Sequence, residues 1–501
     1  LYITAIELNA SPRPPKSLKF PKNLRGSVLH HFGNSDEESD NLFTLGSLRD
    51  EVVEKFGGQF DIVIGNPPWT RLREDEAQRT EAVERERRES KEKVETDRMN
   101  DEFTRIGREV LAASGLDELA KSFENPDKNP DLPFIWRASQ WAKQDGIIAL
   151  ALPTRIFQRA AAHGAWEAMA RTLAITGIIN GADLRWSSVW KVKMPWCVLF
   201  AKNRRPKSNQ RFYFSAPIHE PDKNKHARFR IDYETASAVS LAETLERPWL
   251  LKALSIGTMR DVEVMEQLDR AFSMTLGDVW KEWDPDEDKT GVGFKTAKNL
   301  KQIDAPFLAD LPVFERPSSH EYVINNIVFK TYSETYGCST AHRPKTEKFY
   351  DPPLVIIPKS PGAVRRSPKA FRSKRKLAFS QINYGYSVAG HPNEAALASL
   401  IYLLAHSSLF SFFSLMTSSS QGADRMMFVK GDFDALPFPD LSSLAADDHA
   451  NIVRLANQLE KGKEKPWDEI DAFLFRLYGL DASSVQVAKD TLFASAYYRT
   501  E

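Results

Sequence analysis

Short unbroken apolar runs alternate with amphipathic and charge-rich stretches in the amino-terminal part of the chain. Phe60 to Ile64 is the clearest run. Its consecutive β-branched residues Ile62, Val63 and Ile64 predict a parallel strand buried on both faces, and Gly65 ends it. Further on, "LPFIWRASQWAKQDGIIALALPTRIF" reads as a helix, a Gly turn, a strand over Ile147 to Leu152 and a Pro-Thr exit. "ITGIINGADLRWSSVWKVKMPWCVLFAKN" predicts another strand, a Trp-bearing loop and a strand over Cys197 to Ala201. Arg49 to Phe56 predicts a short helix, and Leu1 to Ala10 the end of an apolar helix with a Pro-rich connection after it. Strand, helix, strand, helix, strand is the doubly wound α/β pattern. After Trp69 the chain is dense in mixed charges and helix formers, with no Pro or Gly until Gly107. That predicts a long, exposed helical insertion over 70–130, laced by i,i+4 ion pairs.

The texture changes near Arg204, where prolines and polar residues multiply. The expected layout is a partial doubly wound (Rossmann-like) α/β domain over 1–205, a linker or subdomain over 206–275, an α+β domain over 276–440 and a helical segment over 441–501. The 501 residues allow two or three domains. The net charge is zero, so a nucleic-acid surface would have to be a local patch. The two cysteines, Cys197 and Cys338, lie far apart, which argues against a disulfide scaffold or a Cys-based zinc site and fits a cytoplasmic protein. The histidines show no ligand spacing, so no metal site is expected. No apolar run is long enough to span a bilayer, and no signal peptide is visible. The chain begins with Leu1, and its true amino terminus is expected to lie upstream.

The first strand runs straight into Asn66-Pro67-Pro68-Trp69. Two prolines remove two backbone donors and stiffen the turn, at the sheet edge where ligands bind in open α/β folds. The Asn66 amide oxygen and the Pro67 carbonyl offer two acceptors close together, and Trp69 offers a flat face. This set suits a planar amino group, such as the exocyclic amine of a nucleobase. Holding both its hydrogens localises the nitrogen lone pair and stabilises the positive charge of an attacking nitrogen. Positioning does the rest, and a base in a duplex must first be flipped out of the stack. A rigid turn with a core Trp is the plain alternative.

"FDIVIGNPPW" resembles the catalytic motif of the gamma-class N6-adenine DNA methyltransferases, (Asp/Asn/Ser)-Pro-Pro-aromatic. The helix and strand of "LPFIWRASQWAKQDGIIALALPTRIF" resemble the elements after that motif. "VWKVKMPWCVLFAKN" resembles the later aromatic-plus-strand motif, which implies that Trp190 is a second aromatic against the flipped base. "PPLVIIPKSP", "LLAHSSLFSFF" and "DFDALPFPD" are similar to target-recognition regions of large, type IIG-like restriction-modification enzymes, and "EIDAFLFRLYGL" to their carboxyl-terminal helix. The resemblance implies a methyltransferase domain followed by a target-recognition domain. It also implies site-specific adenine-N6 methylation of double-stranded DNA with S-adenosylmethionine, in a restriction-modification or phage-defence system whose other subunits are candidate partners. The catalytic residues would be Asn66, Pro67, Pro68 and Trp69. The family's Gly-rich cofactor loop and ribose-binding acid are absent, which implies an amino-terminally truncated chain that binds cofactor poorly. Gly46 and Ser47 are the closest candidates for cofactor contact. Guanine-N2 methyltransferases of ribosomal RNA and glutamine methyltransferases share Asn-Pro-Pro-aromatic but are usually much shorter after it. A DNA-specificity module without catalysis is the alternative from another class.

Lys359, Arg365, Arg366, Lys369, Arg372, Lys374, Arg375 and Lys376 fall in a segment without an acid, interleaved with Pro and Ser. That composition predicts a loop that contacts DNA phosphates and fixes register without choosing sequence.

Overall fold

The computed structural model describes residues 33–34, 43–67, 69, 82–128, 130–158, 163–186, 194–217, 236–295, 302–317, 320–360, 367–418, 427, 429–462 and 464–495. The chain divides into two compact units, Leu1–Leu251 and Lys252–Glu501.

Unit 1 opens with a small ladder between β1 (Gly33–Asn34) and β2 (Phe43–Thr44), then α1 (Asp50–Phe56) and β3 (Phe60–Gly65). Helices α2 (Ala82–Ala113), α3 (Asp117–Ser122) and α4 (Asp131–Trp141) lead to β4 (Ala142–Pro153). The short α5 (Arg155–Gln158) and α6 (His163–Thr172) follow, then β5 (Ala174–Asn180), β6 (Trp196–Lys202), β7 (Arg211–Ser215), β8 (Ala236–Ser240) and α7 (Leu241–Glu246). The six strands β3 to β8 form one sheet in the order β3-β4-β6-β5-β7-β8. β3 lies parallel to β4 and β5 to β7, while β6 enters antiparallel between β4 and β5. The three strands expected over Phe60–Ile64, Ile147–Leu152 and Cys197–Ala201 are all present.

Three expectations are corrected. β3 is not buried on both faces. Ile62 (51% exposed) and Ile64 (77%) share one face of the sheet with Ile147 of the neighbouring β4, which is exposed too, while Ile148, Leu150 and Leu152 of β4 point to the opposite face and are buried. The segment after Trp69 is not a wholly exposed insertion either. Met99, Phe103, Ile106, Val110 and Leu111 recur at helical spacing on α2 and are buried, and α2 packs on α3 and α4. Gly107 lets this happen, since a Cβ there would lie 2.3 Å from the Phe123 ring. Finally, the boundary expected after 205 falls inside the sheet. β7 and β8 extend it, and their Phe212 and Phe214 join the core.

The division between the units falls within α8 (Leu250–Ile256). Unit 2 continues with α9 (Met259–Ala271), β9 (Met274–Thr275), α10 (Leu276–Trp283), β10 (Thr290–Val292), β11 (Ile303–Asp304), α11 (Tyr332–Tyr336) and β12 (Thr340–Ala341). Then come β13 (Leu354–Pro358), β14 (Phe371–Ser373) and β15 (Asn383–Ser387), followed by α12 (Glu394–His406), α13 (Ser408–Thr417) and α14 (Lys430–Asp434). β16 (Pro437–Phe438), α15 (Ala446–Lys461), α16 (Trp467–Leu477) and α17 (Ala482–Ala494) complete it. An antiparallel sheet, β10-β15-β13-β14, packs on a core that includes Phe294, Tyr332, Phe349, Tyr350, Phe371 and Phe379. The helix break at Ser407 is capped twice. The Ser407 hydroxyl accepts from the Phe410 N–H at 3.0 Å, and the buried Asp471 carboxylate accepts from the Ser408 N–H at 2.8 Å. No single helix among the described residues is long and apolar enough to cross a membrane.

Candidate active site

The β3–β4 ladder sets the site. Ile64 lies opposite Ala149 and Gly65 opposite Leu150, so Asn66 leaves the sheet at the carboxyl end of β3. Asn66 is exposed, Pro67 buried and Trp69 half-buried. Pro68 and Trp190 lie outside the described residues. The Trp69 indole N–H donates to the carbonyl oxygen of Ala151 in β4 at 3.0 Å, which fixes the edge of the ring beside the strand. The Trp69 carbonyl accepts from Arg155 Nη2 at 2.8 Å, and the same nitrogen reaches Asp131 Oδ2 at 3.3 Å. Asp131 opens α4 and is only 2% exposed. Burial pushes its carboxyl up, opposed by the attraction of Arg155. Lower on β3, Lys143 donates to the exposed Asp61 carboxylate at 2.8 Å and holds it below the usual range.

The tip thus carries one exposed amide side chain on a loop tied down at its far end. Proline supplies a carbonyl acceptor and no N–H donor. Sequence reasoning missed Arg155, Asp131 and the Ala151 carbonyl. The one signal was a cation just beyond the Pro-Thr exit of β4, and nothing local names its partners.

Ser47 does not fit the cofactor contact expected of it. It is 0% exposed, its hydroxyl has no hydrogen-bond partner among the described residues, and the 3-10 turn Gly46–Leu48 faces the interior through Ser47 and Leu48. The turn serves packing instead. Arg137 Nε donates to the Leu48 carbonyl at 2.7 Å while its Nη2 pairs with Asp50.

The basic run is not one free stripe. Arg365 and Arg366 lie outside the described residues. Arg372 pairs with the buried Glu460 and with Asn457 of α15, and also donates to Ser399 of α12. Arg375 donates to the Ile324 and Ile327 carbonyls and sits over the Phe329 ring. Lys376 bridges Glu347 and Asp351, which raise its ammonium. Burial holds Lys369 down to about 8, and Lys359 lies 5.1 Å from the Tyr384 ring centroid. Lys374 is exposed. The segment itself lacks acids, but the fold brings acids to it from α15 and from the turn before β13.

Among solved structures the chain is similar to the type IIG restriction endonuclease BpuSI, with 11% identity over 88% of this chain and 55% of that one, TM-score 0.28. It is also similar to the type IIL restriction-modification enzyme MmeI in complex with DNA, with 11% identity over 94% and 59%, TM-score 0.40. A third is the type I restriction-modification methyltransferase subunit from Streptococcus thermophilus, with 16% identity over 40% and 38%, TM-score 0.25. The chain therefore spans less than two thirds of each of these structures' own length. No curated protein matches it. Residues 16–184, which carry β3, Asn66, Trp69, Asp131 and Arg155, match the family model described as Eco57I restriction-modification methylase.

Proposed function

We propose that the chain is the base-modifying part of a restriction-modification enzyme. It methylates adenine at N6, site-specifically, in double-stranded DNA, with S-adenosylmethionine as donor. The observation that carries this reading is the exposed Asn66 at the carboxyl end of β3, beside an anchored Trp69, within the region that matches the methylase family. The Asn66 oxygen and the Pro67 carbonyl take the two amine hydrogens of a flipped adenine, and the Trp69 ring stacks on it. The nitrogen gains positive charge as it is alkylated, and the two preorganised oxygens stabilise that charge without reorganising. No residue described here is assigned to hold the methyl donor.

The test is incubation of the full-length protein with DNA and labelled S-adenosylmethionine, followed by nucleoside analysis. Label in N6-methyldeoxyadenosine is the expected result. Label in RNA guanine or in protein glutamine would replace the DNA reading, and no transfer to any acceptor would leave only a DNA-specificity role.

Lys359, Lys374, Arg365 and Arg366 are the proposed phosphate contacts. The Arg365→Ala, Arg366→Ala double variant should bind all DNA sequences more weakly and by a similar factor. The slope of log affinity against log salt should flatten by roughly 2, since each lost phosphate contact removes about 0.9. Titrations on several unrelated duplexes at graded salt check this, and an effect confined to one base position would contradict it.

A further inference from the structure

The ladder of β3 with β4 ends at Gly65, opposite Leu150. Pro67 and Pro68 have no N–H to place in a ladder. The described contacts that fix the far end of the tip converge on Trp69. The Ala151 carbonyl accepts from its ring, and Arg155 donates to its backbone oxygen at 2.8 Å. Arg155 follows Thr154 directly after β4, the strand that pairs with β3 on the near side of the tip. Its side chain is 17% exposed, and Asp131 beneath it is 3% exposed, so the guanidinium is aimed by a buried carboxylate. A planar fork suits this task, because one cation must face a carboxylate and a carbonyl at once.

We propose that Arg155, aimed by Asp131, is a positioning residue for the reaction proposed above. It clamps the Trp69 carbonyl and so sets where the Asn66 and Pro67 oxygens face. It touches neither base nor methyl donor and acts only through the loop. The proposal rests on the methyltransferase reading for its kinetic consequence, but the clamp itself can be observed without it.

The full-length protein is labelled with 5-fluorotryptophan, and the Trp69 fluorine line is identified by its loss in Trp69→Phe. In Arg155→Gln the Trp69 line should shift or broaden while the other lines stay in place. Methyl transfer at saturating DNA should fall by up to about 100-fold, the effect of a misplacement near 1 Å, with the half-saturating DNA concentration unchanged. Arg155→Lys keeps the charge beside Asp131, should keep the melting profile, and should recover part of the rate. It replaces the Gln variant in both comparisons if that variant does not fold. An unmoved Trp69 line, or an unchanged rate in a protein that does transfer methyl groups, overturns the proposal. A line that moves in a protein that transfers no methyl group upholds the clamp and sinks the methyltransferase reading instead.

Discussion

Replacing Asn66 with alanine lowers methyl transfer at saturating DNA by roughly 100- to 1,000-fold, the range set by loss of one preorganised hydrogen-bond group. DNA affinity stays close to that of the unaltered protein. The side chain is exposed at the end of β3, so its removal leaves no cavity and breaks no described core contact. The fold therefore has no reason to respond, and a matched melting curve should accompany the lost rate. The Pro67 carbonyl remains as the second acceptor, which is why the loss is not total. Asn66→Asp is the sharper companion. It keeps an acceptor oxygen and adds charge, so it should retain more activity than alanine if the site works by accepting the amine hydrogens. Single-turnover transfer from labelled S-adenosylmethionine, measured beside DNA titrations, separates the two effects. A loss of DNA affinity with the single-turnover rate preserved would mean that Asn66 reads or orients DNA and takes no part in the transfer.

Local pattern carried the strands of the site and failed where distant residues decide. The β-branched run 62–64, the apolar run 147–152 and Cys197–Ala201 each appear as strands, because a short apolar segment bounded by turn residues has few other stable forms. Which faces are covered is another matter. It depends on what the rest of the chain lays over the sheet, and Ile62 and Ile64 share an exposed face with Ile147 of β4 although their sequence reads as core. The charged stretch of α2 hid Met99, Phe103 and Ile106 because buried apolar residues three and four apart are diluted by Glu and Arg. The position of Asn66 at a strand's carboxyl end was legible from Gly65 and the two prolines. The Arg155 clamp was not, since its carbonyl acceptor and its carboxylate lie 86 and 24 residues away. The same holds for Arg372, whose acid partner Glu460 is 88 residues distant. Counting charges within a segment cannot see such partners.

Unit 2 should lose stability steeply below pH 6.5, with the buried His406 contributing the largest share beside the partly buried His391, which burial also pushes down. His406 ends α12 and is 5% exposed, packed against the Tyr402 ring at 4.5 Å and the Tyr322 ring at 5.9 Å. Its Nδ1 lies 2.8 Å from the Tyr402 carbonyl, and its Nε2 accepts from the Lys369 backbone N–H at 2.9 Å. The carbonyl requires the proton on Nδ1, and the N–H requires a lone pair on Nε2, so both contacts select the neutral ring. Burial pushes the pKa down to about 3; the Tyr402 carbonyl opposes this, and the charges of Lys369, Lys465 and Arg372 add to the downward shift. Between pH 6.5 and 3 the unfolded chain therefore binds a proton that the folded chain refuses. Stability then falls as pH falls, by about 1.4 kcal/mol for each pH unit well below 6.5. By pH 5 the loss is roughly 2 kcal/mol, a large share of the margin of an ordinary domain. His406→Gln can still accept from the Lys369 N–H but has no proton to gain. Denaturant unfolding from pH 7 to 5 should therefore show a steep decline in the unaltered chain and a much flatter one in the variant. Measuring above pH 5 keeps clear of the carboxylates held low by their partners, such as Asp440 and Asp481, whose contributions fade only further into acid. Parallel declines in the two proteins would show that His406 takes up its proton while folded and that the ring is not locked neutral by its two backbone neighbours.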